Sequence, residues 1–188
     1  LTVENQPYAM PEMPDGARQG ILKGLYRLRP SKATRPHRAQ LLASGAILRE
    51  ALDAQTLLER YDVAADVWSV TSWAQLYRDG HACDRWNMLH PLEPPRQPYV
   101  THCLGREPGV VVAASDYLKA LPDSLSQWLE TRVVALGTDG FGRSDTREAL
   151  REFFEVDARF ITVATLRALA RDGANLALGE FMSQALER

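Results

Sequence analysis

The chain has 188 residues, of which 45% are hydrophobic and 24% charged, with 22 basic and 24 acidic side chains. This composition is typical of one globular domain, and the near-balanced charge argues against nucleic acid or anionic lipid as partners. We expect a cytoplasmic protein without a membrane segment, because no apolar run could span a bilayer and the two cysteines form no disulfide framework. The missing initial methionine predicts a piece of a longer protein.

The first part of the chain predicts a connector followed by an edge strand. Residues 1–16 are polar and contain three prolines, and a residue before proline disfavours helix. We therefore expect an extended linker from a preceding domain over 1–16 and a single domain over 17–188. Alternating side chains predict a first strand over residues 21–28 at a sheet edge. The basic residues that follow, up to residue 38, predict a solvated hairpin connection.

The next residues alternate between strand and helix patterns. Residues 40–43 predict a short strand, and apolar residues at helical spacing then predict a helix to about Arg60. A second strand is predicted over residues 65–70, and the spacing of Ser72 and Gln75 predicts the capped start of another helix. Two such units in succession predict a parallel sheet.

Residues 85–108 interrupt this alternation with five prolines. We predict a long irregular segment here, of the kind that is either functional or a contact surface. Several cysteines and histidines in or beside it raise the question of a metal site. They are His81, Cys83, His90, His102 and Cys103. Their spacing lacks the C-x₂₋₄-C pattern of structural zinc sites, and a single thiol such as Cys83 without an identified base is more often inert than nucleophilic.

Two apolar runs predict the remaining strands. Residues 109–114 show no alternation, as expected of a strand covered on both faces, and Ser115 and Asp116 are placed to cap the next helix. Residues 133–136 predict the last strand.

The carboxyl-terminal part predicts three helices. Their predicted ranges are 147–154, about 157–171, and 176–186. In the first of these we expect Leu150, Phe153 and Phe154 to face inward. Asp157 is placed to cap the second helix.

A glycine-rich turn links the predicted strand at 133–136 to the next helix. Its distinctive residues are Gly137, Asp139, Gly140, Phe141, Gly142 and Ser144. A strand, a glycine-rich turn and a helix start expose backbone N–H groups at the carboxyl edge of an α/β sheet, where an anion or a neighbouring domain could bind. The pattern is neither a dinucleotide fingerprint nor a P-loop. The simpler interpretation is a tight turn whose glycines supply positive φ, with Asp145 and Glu148 in capping-box spacing.

The sequence contains no complete set of catalytic residues. Ser69, Ser72 and Ser115 lack the G-x-S-x-G pattern of a nucleophile elbow, and the carboxylates are scattered. We therefore predict no catalytic residue and no metal ligand in this chain. If the parent protein is an enzyme, its reacting residues are expected upstream.

Five strings of residues together resemble one enzyme family. They are residues 8–14 (YAMPEMP), 66–72 (DVWSVTS), 84–93 (DRWNMLHPLE), 136–145 (LGTDGFGRSD) and 154–157 (FEVD). In this order they resemble the carboxyl-terminal domain of the bacterial homodimeric pyruvate dehydrogenase decarboxylating component, a member of the transketolase-like superfamily. The resemblance covers nearly the whole chain and is weakest at residues 29–38, at 97–107 and at the carboxyl end.

The resemblance implies an α/β fold, a three-layer α/β/α arrangement with a mixed, mostly parallel sheet of about five strands. Residues 21–28 are the candidate for its one antiparallel edge strand. It also implies thiamine diphosphate and Mg²⁺, both bound by upstream domains. The implied reaction is decarboxylation of a 2-oxo acid such as pyruvate, followed by reductive acyl transfer to a lipoyl group.

The resemblance further implies three kinds of partner: the upstream domains of the same chain, a second copy in a homodimer, and a dihydrolipoyl acyltransferase core with its lipoyl domains. The role of this domain would be scaffolding and dimer contact, with the glycine-rich turn as the candidate contact.

Three other functions stay open. The chain could play the same role in a 2-oxobutyrate-type dehydrogenase, or belong to a transketolase-like enzyme that transfers sugar units. It could also be a free-standing anion-binding interaction module that uses the glycine-rich turn. The Trp-Asn-Met-Leu-His-Pro string favours the dehydrogenase over the sugar-transfer enzyme.

Overall fold

The computed structural model describes residues 9–174, 176 and 179. The strands in this part of the chain are β1 (Leu25–Arg29), β2 (His37–Ala43), β3 (Val63–Val70), β4 (Val110–Ala114) and β5 (Val133–Leu136). The α-helices are α1 (Arg18–Lys23), α2 (Leu48–Leu58), α3 (Trp73–Leu89), α4 (Tyr99–Leu104), α5 (Ala120–Asp123), α6 (Arg147–Phe153) and α7 (Ala158–Arg171). None of these helices is long and apolar enough to cross a membrane. The helix predicted over 176–186 lies outside the described residues, apart from two single positions.

The described strands form one five-stranded sheet in the order β1-β3-β2-β4-β5. Strand β1 pairs antiparallel with β3, and the other three pairings are parallel. The mixed sheet with flanking helices, and the antiparallel strand at its edge, are both confirmed. The alternating βα pattern produced this arrangement because parallel neighbours require a crossover between them.

The sheet is covered on both faces. Every residue of β3 is buried, and its side chains alternate between two apolar clusters. Val67 lies in the cluster formed with α2 and α7, whereas Trp68 and Val70 lie in the cluster formed with α3 and α4. This double coverage explains why β3 and β4 read as continuous apolar runs with little polar alternation.

Several local predictions are confirmed. Strand β5 occupies the predicted residues. Ser72 caps α3, since its hydroxyl accepts the Gln75 N–H at 3.1 Å. Asp157 caps α7 by accepting the N–H groups of Arg159 and Phe160. In each case a short polar side chain stands just before an apolar helical pattern, which is a signal that can be read locally.

The strand predicted over 21–28 is wrong in its first half. Residues up to Lys23 form the end of α1, and the strand begins at Leu25. Gly24, at φ +100°, ends the helix, and its carbonyl accepts the Thr71 and Ser72 N–H groups. Alternation over a few residues cannot separate a short helix from a strand, so tertiary contacts decided this position.

The irregular segment predicted over 85–108 is wrong at residues 85–89 and 99–104, which are helical, and correct over 90–98 and 105–108. Helix α3 continues to Leu89, and α4 occupies a further part of the range. Pro91 restricts the residue before it, His90, and does not affect the helix further back. Asn87 closes the connection that follows, because it exchanges two hydrogen bonds with the backbone of Arg96.

Three further predictions about helix ends and faces are wrong. The Ser115 hydroxyl accepts the Tyr117 N–H and closes a turn, whereas the next helix begins at Ala120. Helix α6 is capped by Thr146 and not by Asp145, because the threonine hydroxyl accepts the Ala149 N–H. Its Phe153 does not face inward but is 53% exposed.

A buried carboxylate joins the amino-terminal end of the parallel strands. Asp66 of β3 accepts the Ser31 N–H at 2.7 Å, and both its oxygens lie 3.3 Å from Arg38 Nη2. Arg27 Nη1 lies 3.7 Å from Asp66, and Nη2 of the same guanidinium bonds Glu107. Strands β1 and β2 flank β3 and do not pair with each other, so the basic segment between them is not the solvated hairpin connection that was predicted.

We predict that Asp66→Asn destabilises the fold by about 3 kcal/mol or more, the usual cost of removing one charge from a buried pair. Asp62→Asn is the matched control, since Asp62 pairs with Arg35 at 3.1 Å on the surface. That substitution should cost between about 0 and 1 kcal/mol. Urea unfolding monitored by tryptophan fluorescence measures both, and equal costs would contradict the structural role of Asp66.

Candidate functional site at the carboxyl edge of the sheet

Three neighbouring parallel strands end side by side. In the sheet register Ala43 of β2 lies opposite Ala114 of β4, which lies opposite Leu136 of β5. The segments after these strands therefore meet at one edge. Because β2 connects to β3 on one side and has β4 on the other, this edge is the topological switch point where open α/β sheets bind ligands.

Two buried serines join the ends of β2 and β4. The hydroxyls of Ser44 and Ser115 lie 3.3 Å apart, and Trp73 Nε1 donates to Ser44 Oγ at 3.0 Å. Both serines are buried. Their hydroxyls serve to hold two strand ends and an α3 residue together, which is a structural arrangement.

The glycine-rich turn after β5, residues 137–144, is fastened to the segment after β4. Thr138 N–H donates to the Tyr117 carbonyl at 2.9 Å. Asp139 accepts the Lys119 N–H at 3.1 Å and forms an ion pair with Lys119 Nζ at 3.3 Å. These contacts, the backbone bond first, hold the pKa of the Asp139 carboxyl below its ordinary value. We call residues 137–144 the carboxyl-edge loop.

The three glycines of this loop differ in what they contribute. Gly140 has a φ of +82°, which a residue with a side chain rarely adopts. At Gly137 the φ is not positive, but a Cβ would lie 2.5 Å from the Tyr117 carbonyl oxygen. Gly142 has neither property, since a Cβ there would meet nothing within 4 Å. The tight-turn interpretation, in which the glycines supply positive φ, is thus confirmed at Gly140 and wrong at Gly137 and Gly142.

A crevice of about 220 Å³ lies between this loop and helix α6, and we refer to it below as the crevice. The described residues that line it are Ala46, Ile47, Asp116, Thr138, Gly142, Arg143, Arg147, Leu150, Arg151, Phe154 and Val156. They follow the ends of β2, β4 and β5, so the switch point forms the crevice. Gly137, Asp139, Gly140, Phe141 and Ser144 of the loop lie beside it and are not among the lining residues.

The arginines of the crevice were missed by the sequence analysis. Arg143 lies with its guanidinium carbon 3.8 Å from the Phe153 ring centre. Arg151 Nη1 lies 2.7 Å from Glu50, which also accepts the Ala158 N–H at 3.0 Å. Arg147 and Arg151 are four residues apart on α6, which places them on one face of that helix, and this spacing was the available signal. Arg143 lies in the carboxyl-edge loop and joins them only through the fold.

Comparison with known proteins places the chain in a family. Residues 24–157 match the family described as the transketolase-like TK C-terminal domain. The chain belongs to that family. It is 49% identical over 175 residues to the pyruvate dehydrogenase E1 component of Pseudomonas aeruginosa, and 48% identical over 177 residues to that of Escherichia coli K12. The resemblance stated from the five strings is confirmed.

These alignments cover 92% of the chain and about a fifth of the relatives' length. Among solved structures, transketolase from Pichia stipitis aligns with a TM-score of 0.61 at 14% identity over 89% of this chain and 21% of that one. Transketolase from Leishmania mexicana gives 0.58 at 16% identity over 85% of this chain and 20% of that one. At this identity the structural likeness shows the shared α/β fold.

The cysteines and histidines of this transketolase-like domain take part in packing. His81 lies edge-to-face against Trp128 with ring centres 5.1 Å apart, and His90 stacks on Trp86 at 3.5 Å. No group of three or more His, Cys, Asp or Glu within the described residues could hold a metal ion. The described part of the domain therefore offers no such cluster for Mg²⁺, which the family resemblance assigns to upstream domains.

Neither thiol of the domain has the environment of a nucleophile. Burial, followed by the nearby carboxylates of Asp79 and Asp84, raises the pKa of the Cys83 thiol. Burial also raises the pKa of Cys103. A raised pKa lowers the thiolate fraction at neutral pH, and the thiolate is the reactive form.

We predict that Gly140→Ala and Gly142→Ala differ in stability. Forcing alanine into the left-handed region at Gly140 should cost about 1–2 kcal/mol. Gly142→Ala has open space and an ordinary φ, so its cost should lie within about 0.5 kcal/mol of zero. Urea midpoints of the two variants compare them directly, and a larger cost at Gly142 would contradict the loop geometry.

The lowered pKa of Asp139 predicts a pH-dependent contribution to stability. The ionised carboxylate stabilises the fold above its ordinary pKa of 3.8, and this stabilisation is lost as the pH falls through the lowered folded-state pKa. The free energy of unfolding of Asp139→Asn should therefore differ most from that of the unmodified protein at neutral pH. Urea unfolding at pH 7 and at successively lower pH tests this, and a difference that is constant with pH would argue against it.

Proposed function

We propose that the chain is the carboxyl-terminal domain of a pyruvate dehydrogenase E1-type enzyme, in which it serves as a scaffold for domain and dimer contacts. The supporting observation is 49% identity over 92% of the chain to a protein of that name, which is about five times as long. The full reaction would be decarboxylation of a 2-oxo acid and reductive transfer of the acyl group to a lipoyl group of a dihydrolipoyl acyltransferase. Thiamine diphosphate, held with Mg²⁺ by the upstream domains, would supply the electron sink.

The scaffold role is supported by an exposed apolar patch at the carboxyl edge. The patch consists of Tyr117, Leu118, Leu121 and Phe141, which are 50%, 53%, 38% and 98% exposed. Its two segments are joined by the backbone hydrogen bond and the ion pair that Lys119 makes with Asp139 of the carboxyl-edge loop. Contiguous exposed apolar side chains on an ordered surface are typical of sites that another protein surface covers.

The chain enters the domain at this same edge. Helix α1 follows residues 9–14, which form neither helix nor strand, and it packs beside the carboxyl end of β3. There the Thr71 hydroxyl donates to the Ile21 carbonyl at 2.8 Å. A preceding domain attached through this connector would lie next to the carboxyl edge of the sheet. We therefore assign the apolar patch to contact with the preceding part of the same polypeptide.

The first experiment is an assay of the full-length parent protein with thiamine diphosphate and Mg²⁺. Pyruvate, 2-oxobutyrate and 2-oxoglutarate are compared as donors, with an artificial electron acceptor and with lipoamide. We expect cofactor-dependent turnover that prefers pyruvate. A preference for 2-oxobutyrate would assign a different dehydrogenase. Transfer between sugar phosphates, or no turnover with any donor, would overturn the proposal in favour of the sugar-transfer enzyme or the binding module.

The contact surface is tested separately by Phe141→Ser in the full-length protein. Leu92→Ser is the matched control, because Leu92 is also 98% exposed and lies just beyond the far end of α3. Helix α3 begins at the carboxyl edge and is 17 residues long, so its far end is about 25 Å from its start. Loss of an aromatic interface residue should weaken docking by about 1–2 kcal/mol or more. We expect Phe141→Ser to increase hydrogen exchange at residues 117–121 and to lower the unfolding temperature, while Leu92→Ser changes neither. Equal behaviour of the two variants would place the contact elsewhere.

A further inference from the structure

We propose that the crevice is a binding site for a small organic carboxylate that carries a short apolar body. This goes beyond the scaffold role, which requires no ligand in the domain. The crevice encloses about 220 Å³, below the range of about 300–1,000 Å³ typical of pockets for drug-sized molecules. Its occupant is therefore small, and the floor and the rim of the crevice each select one part of it.

The floor of the crevice is apolar. Ile47 and Val156 are each 2% exposed, and Leu150 and Phe154 are half-buried beside them. A hydrocarbon group of two to four carbons placed here would leave water and contact aliphatic and aromatic carbon. A fully hydrated inorganic ion would gain nothing from this floor, so the lining favours an organic ligand.

The guanidinium of Arg143 lies at the rim of the crevice, where an aromatic ring holds it in place and no carboxylate among the described residues pairs with it. Arg143 stacks on Phe153 at 3.8 Å, and it makes no hydrogen bond or ion pair with the described part of the chain. Stacking occupies the face of the guanidinium and leaves the N–H groups at its edge free to donate. That edge matches the two oxygens of a carboxylate, which it can bind through two parallel hydrogen bonds.

The charge around the crevice favours a monoanion. Among the described residues, the three arginines face Asp116 in the lining and Glu50 behind Arg151. The formal charges of these three guanidinium groups and two carboxylates leave one positive charge uncompensated. A single carboxylate balances that charge, whereas a diphosphate or triphosphate would bring excess negative charge next to Asp116.

A ligand in the crevice would contact the segments after three strands at once. Ala46 follows β2, Asp116 follows β4 and Thr138 follows β5. Occupancy would therefore stiffen the carboxyl edge, including the loop whose apolar neighbours we assign to domain contact. Hydrogen exchange at residues 138–150 reports this stiffening without any measurement of turnover.

The test uses the full-length protein saturated with thiamine diphosphate and Mg²⁺. Isovalerate is the probe, and its uncharged amide, isovaleramide, is the control of equal shape. Binding is measured by calorimetry and by hydrogen exchange at residues 138–150. We expect isovalerate to bind and to protect this segment, and isovaleramide to bind at least about tenfold more weakly, as expected for loss of a charge-assisted hydrogen bond.

Substitutions then assign the binding to the crevice. Arg143→Gln should weaken isovalerate binding about tenfold or more, and Arg143→Lys should retain only part of the affinity because it keeps the charge but not the paired donors. Arg85→Gln, at an exposed position on α3, should leave binding unchanged. Equal affinity for acid and amide, an Arg143→Gln variant that binds normally, or no binding at all would overturn the inference. Because pyruvate turnover is measured separately, failure here leaves the proposed function intact.

Discussion

The fold depends on compensation of one buried negative charge. Asp66 lies buried on β3, an interior strand of the sheet, where an unpaired carboxylate would be very costly. It is satisfied by a backbone N–H from the β1–β2 connection and by Arg38 of β2, with Arg27 of β1 close by. Arg27 in turn bonds Glu107, just before β4. Asp66 thus links residues of β1, β2 and β3, and Glu107 extends the link to the segment before β4. The mutual positions of these four strands therefore depend on contacts between residues far apart in the sequence.

The two ends of the sheet consequently differ in the groups that join the strands. At the end near Asp66, Arg27 and Arg38 pair with carboxylates through their terminal nitrogens, while the buried Nε atom of each has no hydrogen-bond partner among the described residues. There the Gln40 amide also links Trp68 Nε1 to the Pro108 carbonyl. At the carboxyl edge the strand ends are joined by the small serine pair, which leaves room for a crevice and for an exposed loop. A rigid end opposite an adaptable one is the usual arrangement in α/β domains, where binding residues lie on loops held by a fixed scaffold.

The sequence predicted those features that depend on neighbours in the chain. Strand β5 and the Asp157 cap were correct because β-branched residues and a capping carboxylate act locally. The features that failed depend on distant residues. Whether residues 21–23 are helical is decided by their contacts with the start of α3, and Gly142 looks like its neighbour Gly140 although the backbone requires only Gly140 to be glycine. The crevice as a whole could not be predicted from the sequence for the same reason, because its lining comes from four separate segments that only the sheet topology brings together.

The connection around Gly24 shows that the bounds of a family model and those of a folding unit need not coincide. The family model begins at residue 24, which leaves α1 outside it, although the alignments with the E1 relatives cover 92% of the chain. Yet the Gly24 carbonyl receives two N–H groups from the end of β3, and the Thr71 hydroxyl bonds back to Ile21 within α1. Gly20 lies so close to Tyr26 that a Cβ would reach 2.7 Å from it. A chain shortened to begin at residue 24 would lose the partner of Thr71 and the packing against the edge strand, so the cooperative unit begins with α1.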